Sequence, residues 1–533
     1  MRSILLILAS DRKRRALLAA SILLACTGPS ICLILLSYVL GGLVDGVVDY
    51  TALWLFLAVA TLSAGALHLA VRQCGSIAEK TLQDKRFSME QAISRIDLAQ
   101  LEKIGKAHVQ DVFALDFSSV SAAARRRPPI GTSAGSLVLS ALVILLFAPW
   151  IFLLFLVVFA IGGAASLIVH RRLVKSMSRT RAAARQHNAL LRHLLDGAKE
   201  VRLNRDRRDD ILDDHISPAL VTLRQISVEE IKLSGGLVFI FNFFSWASLF
   251  VIVAVLPLYV DDMGVVIQAL YVGIFVRTYM FGLVVELPEI FRLNSALMAI
   301  EHLEAALAQA QQPIASANSP MPPERHIDPD FQHIRADAIN FSYGANGEDQ
   351  FTLGPLTVDI PKGCTVFLVG ANGAGKSTFL KLLASLYAPA SGQLMVDDVI
   401  VDDTNKDAYR QLYSCVFSDF HLFDRLYGLT DVPDDKVKAL LADFALADRV
   451  SVTNGVFSTT DLSSGQRQRL ALVVAILEDR PILVLDEIAA DQDPNFRRRI
   501  YHELIPAWRQ AGRTLIVVSH DDRFFDLADT LVT

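Results

Sequence analysis

The sequence has few cysteines and little net charge. None of its cysteines forms a C-x-x-C pair or another spacing typical of metal ligands, and the five are Cys26, Cys32, Cys74, Cys364 and Cys415. We therefore expect neither a disulfide framework nor a structural zinc site. The formal net charge of −5 over 533 residues gives no compositional sign of a nucleic-acid partner. Charged residues are also missing from long stretches of the first half of the chain.

Six apolar stretches lie before residue 290, in a chain whose mean hydropathy is +0.39. The first five contain no Asp, Glu, Lys or Arg, and most are long enough to cross a bilayer core, which takes about 18 to 20 residues. A soluble core seldom contains five such helices, so we predict an α-helical transmembrane domain with six spans. The stretches are Ala16–Leu40, Thr51–Val71, Ile130–Phe147, Ile151–Val169, Ser234–Val260 and Val265–Val285.

Lysine and arginine lie on one side of these predicted spans. Residues 1–15 contain five of them, residues 72–127 ten and residues 170–233 fourteen, whereas the other three connections contain none. Because basic residues stay on the cytoplasmic side of a membrane, both termini are predicted to be cytoplasmic. The two longer basic segments should continue the helices about 40 Å beyond the bilayer, with turns near Lys103–Phe113 and Asn204–Asp214.

Arg277 is a charged residue inside the sixth apolar stretch. Counted along a helix from Gly264, it lies about 20 Å from the outer surface, and Asn242 in the fifth stretch falls at a similar depth. A charged side chain at this depth usually faces protein or a water-filled cavity. We predict that both residues line a substrate cavity in which Arg277 meets an anionic group. The alternative is an arginine that pairs with backbone carbonyls or extends towards the cytoplasmic interface.

A proline-rich segment separates the apolar half from a soluble half. Ser319–Pro323 reads S-P-M-P-P, so residues 311–333 are predicted to be a linker that follows a transmembrane domain over residues 1–310. In residues 334–533, short apolar strands alternate with helical stretches. This alternation predicts an α/β domain with a mostly parallel sheet.

The apolar run Val366–Val369 leads into G-A-N-G-A-G-K-S-T at residues 370–378. A strand that opens through a glycine-rich turn into a helix presents backbone N–H groups that attract phosphate. The pattern G-x-x-x-x-G-K-[ST] predicts a P-loop nucleotide site in which Lys376 reaches the β- and γ-phosphates and Ser377 offers its hydroxyl to Mg²⁺. The residues assigned to nucleotide binding here are Gly370, Asn372, Gly373, Ala374, Gly375, Lys376, Ser377 and Thr378.

Five further patterns accompany the P-loop in the second half. Tyr343 lies before it, where an aromatic ring can stack on adenine. The others follow in order: Leu462–Arg469 reads L-S-S-G-Q-R-Q-R and opens a helix, Ile482–Glu487 is an apolar strand ending in two acids, Asp491–Asp493 reads D-Q-D, and another buried strand ends in Ser519–His520.

With these motifs in this order the chain resembles ABC transporters, and in particular a half-transporter of the type IV exporter class. The resemblance implies six spans fused to one ABC ATPase domain that uses ATP and Mg²⁺. Asp486 is expected to coordinate Mg²⁺ and Glu487 to activate the attacking water, since phosphoryl transfer depends mostly on positioning and charge neutralisation. His520 resembles the switch histidine that contacts the γ-phosphate, which gives Lys376, Glu487 and His520 as the catalytic set. Asp493 matches the D-loop aspartate that communicates across a dimer.

The helix-opening motif resembles the ABC signature at Ser463, Ser464, Gly465 and Gln466. In this family the signature binds the γ-phosphate of ATP held by the opposite subunit. One P-loop and one signature cannot close a site alone, so we expect a homodimer with two ATP molecules between its subunits. Ser464 replaces the usual second glycine, and its hydroxyl can still donate to phosphate.

Ser418 lies in the Q-loop, Val416–Phe423, where the family usually has glutamine. That glutamine links Mg²⁺ and the attacking water to the membrane domain, and a serine side chain is too short for the same reach. We retain Ser418 as a metal-site residue, with Asp419 or a water as a substitute for the missing amide. The departure concerns the coupling mechanism rather than the nucleotide site.

The Q-loop sequence S-D-F-H-L-F and the signature L-S-S-G-Q-R-Q-R-L resemble those of bacterial exporters of cyclic peptides, lipopeptides and peptide siderophores. The resemblance implies an ATP-driven exporter in the bacterial inner membrane, with membrane lipid, a second copy of the chain and an amphipathic peptide-type substrate as partners. Two alternatives stay open. One is a lipid or lipid-linked glycan flippase; the other is a non-transporting membrane regulator or channel gated by nucleotide. Glu487 and His520 argue against the last, because a gate can dispense with hydrolysis.

Overall fold

The computed structural model describes residues 12–44, 48–147, 149–258, 263–310, 327–342 and 351–533. The chain divides into two compact units. The first comprises the residues up to Ser94 together with Gly105–Gln309. The second comprises Ala310–Thr533 together with a short segment from the first half of the chain, Arg95–Ile104.

The first unit is built of six long helices. Within the described residues, six helices are long and apolar enough to cross a bilayer, as predicted. Their uncharged runs explain this length, because a helix satisfies its own backbone groups and needs no water to do so. The long helices are α1 (Arg12–Val44), α2 (Tyr50–Arg95), α3 (Phe117–Phe147), α4 (Pro149–Asp196), α5 (Ser217–Ala254) and α6 (Met263–Ala310).

The turns between α2 and α3 and between α4 and α5 begin earlier than predicted and overlap the predicted segments at residues 103–105 and at Asn204. The first falls at residues 96–105, where Gly105 has φ +89°, a value that glycine adopts without a steric penalty. The segment predicted to turn, Lys103–Phe113, instead contains the helix Lys106–Asp111 and the start of a π-helical turn. The second turn begins near Gly197 and ends at Asn204, whose side chain caps the helix Arg205–Asp209 by accepting from the Arg207 N–H at 3.0 Å.

Small residues bring the first three long helices close together. Ser63 on α2 donates its hydroxyl to the Ala25 carbonyl on α1 at 3.1 Å, and Ser136 on α3 donates to the Cys26 carbonyl at 3.0 Å. A Cβ atom added at Gly28 would lie 2.4 Å from the Cβ atom of Ser63. Such contacts are typical of helices that associate in lipid, where close backbone approach and interhelical hydrogen bonds replace the hydrophobic effect.

The helices α4, α5 and α6 share an apolar cluster to which α3 contributes Ile144. Phe155 of α4, Leu249 and Ile252 of α5, and Ala269 and Val276 of α6 are all buried in it. The next residue after Val276 on α6 is Arg277, so the predicted cavity residue lies at the boundary of this cluster.

The second unit contains a parallel sheet flanked by helices, as predicted. Its five strands run in the order β11-β3-β10-β9-β6, and all the pairings between them are parallel. An antiparallel sheet of order β2-β1-β4-β5 lies beside it, and β7 pairs with β8. The strands are β1 (His333–Ser342), β2 (Thr352–Pro361), β3 (Thr365–Leu368), β4 (Ser391–Val396), β5 (Val399–Ile400), β6 (Tyr413–Val416), β7 (Val452–Thr453), β8 (Val456–Phe457), β9 (Ile482–Asp486), β10 (Thr514–Val518) and β11 (Thr530–Val532).

The parallel sheet is buried on both faces. Leu483 and Leu485 of β9 belong to one apolar core, whereas Ile482 and Val484 of the same strand belong to another. A run of apolar residues without alternation is what a strand covered on both faces requires. The helices of this unit are α7 (Lys376–Leu383), α8 (Lys406–Arg410), α9 (Asp434–Asp443), α10 (Ser464–Leu477), α11 (Pro494–Arg499) and α12 (Ile505–Gln510), with a π-helical turn at Ile500–Leu504 and a 3₁₀ helix at Asp522–Leu527.

The segment Arg95–Ile104 packs on the second unit through polar contacts. Asp97 accepts hydrogen bonds from Arg410 Nη2 at 2.9 Å and from Lys406 Nζ at 3.3 Å. Glu102 accepts from the Tyr387 hydroxyl at 2.7 Å. Leu98 and Ala99 also pack against the apolar core that contains Tyr387. The turn that follows α2 is thus held by the nucleotide-binding half of the chain.

We expect Asp97→Ala to destabilise the full-length protein, because it leaves Arg410 and Lys406 without their shared acceptor. The carboxylate of Asp97 is only 22% exposed, so the loss should be about 1–2 kcal/mol, or a fall of about 3–6 °C in melting temperature. Asp407→Ala is the matched control, because Asp407 also pairs with Arg410 but is 90% exposed. Thermal unfolding in detergent measures both variants, and equal losses would contradict the anchoring role of Asp97.

Candidate phosphate- and metal-binding site

The P-loop joins the end of β3 to the start of α7. Gly373 has φ +81° and Gly375 has φ +97°, both in the left-handed region that favours glycine. A Cβ added at Gly375 would also lie 2.8 Å from both Leu353 Cδ1 and Phe351 Cζ, so these side chains would have to shift to admit it. The loop can therefore keep its tight turn and its outward backbone N–H groups, which together suit a phosphate group.

Lys376 lies folded over this loop. Its Nζ atom donates to the carbonyl oxygens of Gly370 at 2.9 Å and Ala371 at 3.0 Å. Asn372 and Ala374 are exposed at the tip of the loop, and Thr378 is buried in the first turn of α7. The ammonium group therefore lies next to the backbone donors that would surround a phosphate.

Three oxygen-bearing side chains meet at Asp486, the last residue of β9. The hydroxyls of Ser377 and Ser418 each lie 3.1 Å from Asp486 Oδ2, and the backbone N–H of Ser418 lies 3.3 Å from the same atom. Asp486 is 1% exposed, and its other oxygen, Oδ1, is buried without a hydrogen-bond partner among the described residues. A buried carboxylate with an unused oxygen beside two hydroxyls is a donor set that fits Mg²⁺, which prefers oxygen ligands.

Ser418 reaches this cluster although its side chain is short. The expectation that serine falls short of the usual glutamine's position rested on side-chain length alone. The chain after β6 instead brings the backbone of residue 418 to Asp486, so that a short side chain is sufficient to contact the carboxylate.

Glu487 and His520 form a pair at the ends of β9 and β10. His520 Nε2 lies 3.1 Å from Glu487 Oε1. Glu487 has φ +55°, a strained backbone conformation that in non-glycine residues is concentrated at functional sites. Its N–H donates to the Val518 carbonyl at 3.2 Å, which fixes this conformation. The two side chains are 38% and 43% exposed and therefore accessible to a reacting water.

The pair lines a pocket of about 280 Å³ that also contains Arg497, Tyr501, Ser519, Asp521 and Arg523. The hydrogen bond from the Arg523 guanidinium lowers the pKa of Asp521. Burial raises the pKa of Tyr501, whose hydroxyl lies 2.8 Å from that of Ser519. At neutral pH the pocket therefore contains an ionised carboxylate and a neutral phenol.

The signature residues begin α10. Ser463 is the N-cap: its hydroxyl accepts from the Gln466 N–H at 3.4 Å, and Gln466 Oε1 accepts from the Ser463 N–H at 3.2 Å. These reciprocal bonds form a capping box. Ser464 is exposed beside it, and a Cβ on Gly465 would lie 2.7 Å from the Asp491 carbonyl oxygen.

Asp493 begins α11 in the same way. Its carboxylate accepts from the N–H groups of Asn495 at 3.1 Å and Phe496 at 3.0 Å, and it pairs with Arg469. The hydrogen bond from the Phe496 N–H, assisted by the Arg469 guanidinium, lowers the pKa of Asp493. Arg469 also donates to Gln492 Oε1 at 2.8 Å, and Gln492 donates to the Gly465 carbonyl at 3.0 Å.

The structure brings some of the predicted residues together and leaves others apart. The P-loop, Asp486, Glu487, Ser418 and His520 all lie at the carboxyl edge of the parallel sheet, because β3, β9, β10 and β6 end there. Among the described residues, no hydrogen bond joins the signature residues to the P-loop.

Tyr343 lies outside the described residues. Arg277 and Asn242 lie in the first unit, where Arg277 Nη2 donates to Asn242 Oδ1 at 3.0 Å.

Sequence reasoning missed three residues around this site. Arg469 and Gln492 link the signature to the Asp491–Asp493 loop, and Phe351 packs beside Gly375. Arg469 and Gln492 fall inside the quoted motifs. Their polarity next to a buried strand could have indicated that they belong to the site. Phe351 follows no motif, and only its aromatic character before β2 could have indicated it.

We expect Asp493→Ala to lower the melting temperature by about 3 °C at neutral pH, since loss of an N-cap costs about 1 kcal/mol. The pKa of Asp493 is lowered by folding, so its contribution is present above the unfolded value of about 3.9 and is lost as the pH falls through the folded value. The difference from wild type should therefore shrink below about pH 4. Asp493→Asn keeps a capping side chain and should lose less; an equal loss in both variants would contradict this assignment.

Part of the second unit matches a known protein family. Residues 353–490 match the model of the family described as ABC transporter. The chain is 47% identical over 190 residues to ATP-binding protein SyrD of Pseudomonas syringae pv. syringae, covering 34% of this chain and 33% of that protein. It is 33% identical over 217 residues to an ATP-dependent lipid A-core flippase of Chromohalobacter salexigens, covering 37% and 36%.

A third relative is the beta-(1→2)glucan export ATP-binding/permease protein NdvA of Mesorhizobium japonicum, 28% identical over 200 residues that cover 35% of this chain and 33% of that protein. The chain spans about a third of the length of each of these relatives. Residues 353–490 are therefore an ABC transporter domain, and by joining this domain to six apolar helices the chain resembles ABC half-transporters.

Proposed function

We propose that this chain is one half of a homodimeric ABC exporter that uses ATP to move a peptide-type metabolite out of the bacterial cytoplasm. The observation that carries the proposal is the convergence of Lys376, Asp486, Glu487 and His520 at one edge of the parallel sheet. A protein that only bound nucleotide would need the P-loop, whereas the Glu487–His520 pair serves hydrolysis.

Each side chain has a role that follows from its position. The P-loop amides and Lys376 bind the phosphates of ATP and neutralise their charge. Ser377, Ser418 and Asp486 would hold Mg²⁺, which supplies further charge neutralisation when bound. Glu487, exposed and held in a fixed backbone conformation, orients the attacking water and accepts its proton. His520, 3.1 Å from Glu487, contacts the γ-phosphate and keeps the Glu487 carboxylate in place.

A second copy of the chain completes the site in this proposal. Ser463, Ser464, Gly465 and Gln466 lie at the N-terminus of α10, where backbone N–H groups favour an anion. Ser463 and Ser464 are exposed, so they are accessible to ATP bound by a partner chain. Asp493, which begins the neighbouring α11, would face that partner in the proposed dimer. Two ATP molecules would then lie between two identical subunits.

The six long apolar helices support a location of the exporter in the inner membrane. Their apolar segments would contact lipid, and the basic segments around Arg95 and Arg205 would stay in the cytoplasm together with both termini. The segment Arg95–Ile104 supports coupling to the nucleotide site, because it directly continues α2 and is bound by Arg410 and Lys406. A change in the nucleotide-binding half can thus displace the end of a membrane helix.

The proposed peptide-type cargo is supported by the resemblance of the Q-loop and signature to those of exporters of cyclic peptides, lipopeptides and siderophores. A second candidate is a lipid or lipid-linked glycan flippase, because relatives of this chain include proteins named as a lipid A-core flippase and a glucan export protein. Both candidates use the same nucleotide chemistry and differ only in the molecule that is moved.

Two substitutions separate ATP binding from hydrolysis. Lys376→Ala should abolish ATP binding, because it removes the charge beside the phosphates. Glu487→Gln should retain binding and lower hydrolysis at least 100-fold, in line with the loss of a general base, and should trap a closed dimer. Binding is measured with a fluorescent ATP analogue, turnover by phosphate release and the dimer by cross-linking. Full ATPase activity in Glu487→Gln would show that Glu487 does not accept the proton of the attacking water.

Substrate stimulation distinguishes the two cargo classes. We expect the purified protein in nanodiscs to increase its ATPase rate several-fold with an acylated amphipathic peptide and not with a lipid A-type lipid. The Glu487→Gln variant provides the background rate for each ligand. Stimulation by the lipid alone would favour the flippase, and the absence of any ATPase activity with every ligand would contradict ATP-driven transport.

A further inference from the structure

A polar cluster lies between α5 and α6 in the first unit. Arg277 Nη2 donates to Asn242 Oδ1 at 3.0 Å, and the guanidinium carbon lies 4.5 Å from the centre of the Trp246 ring. Arg277 and Trp246 also line a cavity of about 540 Å³ whose other walls are apolar: Leu249, Phe250, Val253, Leu270 and Ile274. The cavity therefore has one charged group at its wall and hydrophobic surface elsewhere.

The cluster lies deep in the predicted membrane span. Arg277 follows the first residue of α6, Met263, by fourteen positions, which corresponds to about 21 Å along a helix. Trp246 precedes the last residue of α5, Ala254, by eight positions, or about 12 Å. Both distances fall within a hydrocarbon core of about 30 Å, where a charged side chain is retained mainly for function.

Nothing in the described residues neutralises the charge of Arg277. No described carboxylate forms an ion pair with it, Asn242 contributes a neutral amide, and Trp246 contributes the face of its ring. The Nε atom of Arg277 is buried and has no hydrogen-bond partner among the described residues. Asn242 and Trp246 thus orient the guanidinium while part of its hydrogen-bonding capacity remains unused.

We propose that Arg277 binds a carboxylate of the cargo, with the apolar walls of the cavity receiving the hydrophobic part next to it. This inference rests on the proposed export function and adds the chemical group that is recognised. A planar guanidinium forms paired hydrogen bonds with a carboxylate, and one positive charge balances one carboxylate. A volume of about 540 Å³ is within the range of sites for compact ligands.

Asn242 and Trp246 are positioning residues in this scheme. The amide oxygen of Asn242 holds one guanidinium nitrogen, and the Trp246 ring stabilises the cation from its face. The other side of the guanidinium remains for the cargo. The cavity thereby selects amphipathic molecules that carry a negative end group. A membrane lipid without an anionic group lacks the partner that Arg277 requires.

The test compares two forms of one peptide. The probe is an N-dodecanoyl peptide of alternating leucine and serine, prepared with a free C-terminal carboxylate and, separately, with a C-terminal amide. Binding to the full-length protein in nanodiscs is measured without nucleotide, so the result does not depend on ATPase activity. For wild type we expect the carboxylate form to bind about tenfold more tightly than the amide, as a charge-assisted hydrogen-bonded pair allows.

Arg277→Gln should bind both forms equally, at the affinity that wild type has for the amide. Thr278→Val is the matched control, because Thr278 is the next residue on α6, is exposed and donates only to the Ile274 carbonyl; it should keep the tenfold preference. An unchanged melting temperature and a monodisperse size-exclusion profile in Arg277→Gln show that it is folded. If Arg277→Gln does not fold, the more conservative Arg277→Lys takes its place and should reduce the preference.

Three outcomes would overturn the inference. One is equal binding of both peptide forms to wild type, and another is a preference for the carboxylate that survives Arg277→Gln. The third is Arg277-dependent binding of dodecyl phosphate that is tighter than binding of the peptide carboxylate, which would assign the site to a phosphate group. A different result would contradict the export function alone. In that case peptide binding depends on Arg277 but does not alter ATP hydrolysis, and the carboxylate site is still supported.

Discussion

The buried carboxylate of Asp486 organises the nucleotide-binding edge. It ends strand β9, is 1% exposed, and accepts from the hydroxyls of Ser377 and Ser418, which come from two different segments of the chain. Burying a carboxylate with one oxygen unsatisfied is costly, so the surrounding elements have to be held firmly by their own packing. The parallel sheet provides this support, because apolar cores cover both of its faces.

The geometry of this sheet edge explains how Ser418 can occupy the position where the family usually has a glutamine. The Q-loop approaches Asp486 with its backbone, and Ser418 therefore contacts the carboxylate through both its N–H and its hydroxyl. A backbone contact is shorter and stiffer than one made through a glutamine side chain. In this protein, a displacement of the Q-loop and a change at the Asp486 carboxylate are consequently more directly linked.

The sequence was sufficient to predict the six apolar helices, the α/β character of the second half and the set of motifs at the sheet edge, because each depends on local composition or spacing. It was not sufficient for contacts between distant residues. The pairing of Asp97 with Arg410, the Arg469–Gln492 link and the packing of Phe351 on Gly375 depend on tertiary structure. The turn that ends at Gly105 begins earlier than predicted, since a single glycine, rather than a cluster of turn residues, allows the chain to reverse.

The close contact between Gly465 and the Asp491 carbonyl has a mechanical consequence. An added Cβ would lie 2.7 Å from that oxygen, and Gln492 and Arg469 bond the same two segments together. These contacts hold the start of α10 and the loop before α11 together. A displacement of Ser463 and Ser464, exposed at the start of α10, would therefore be passed on to Asp493 at the start of α11.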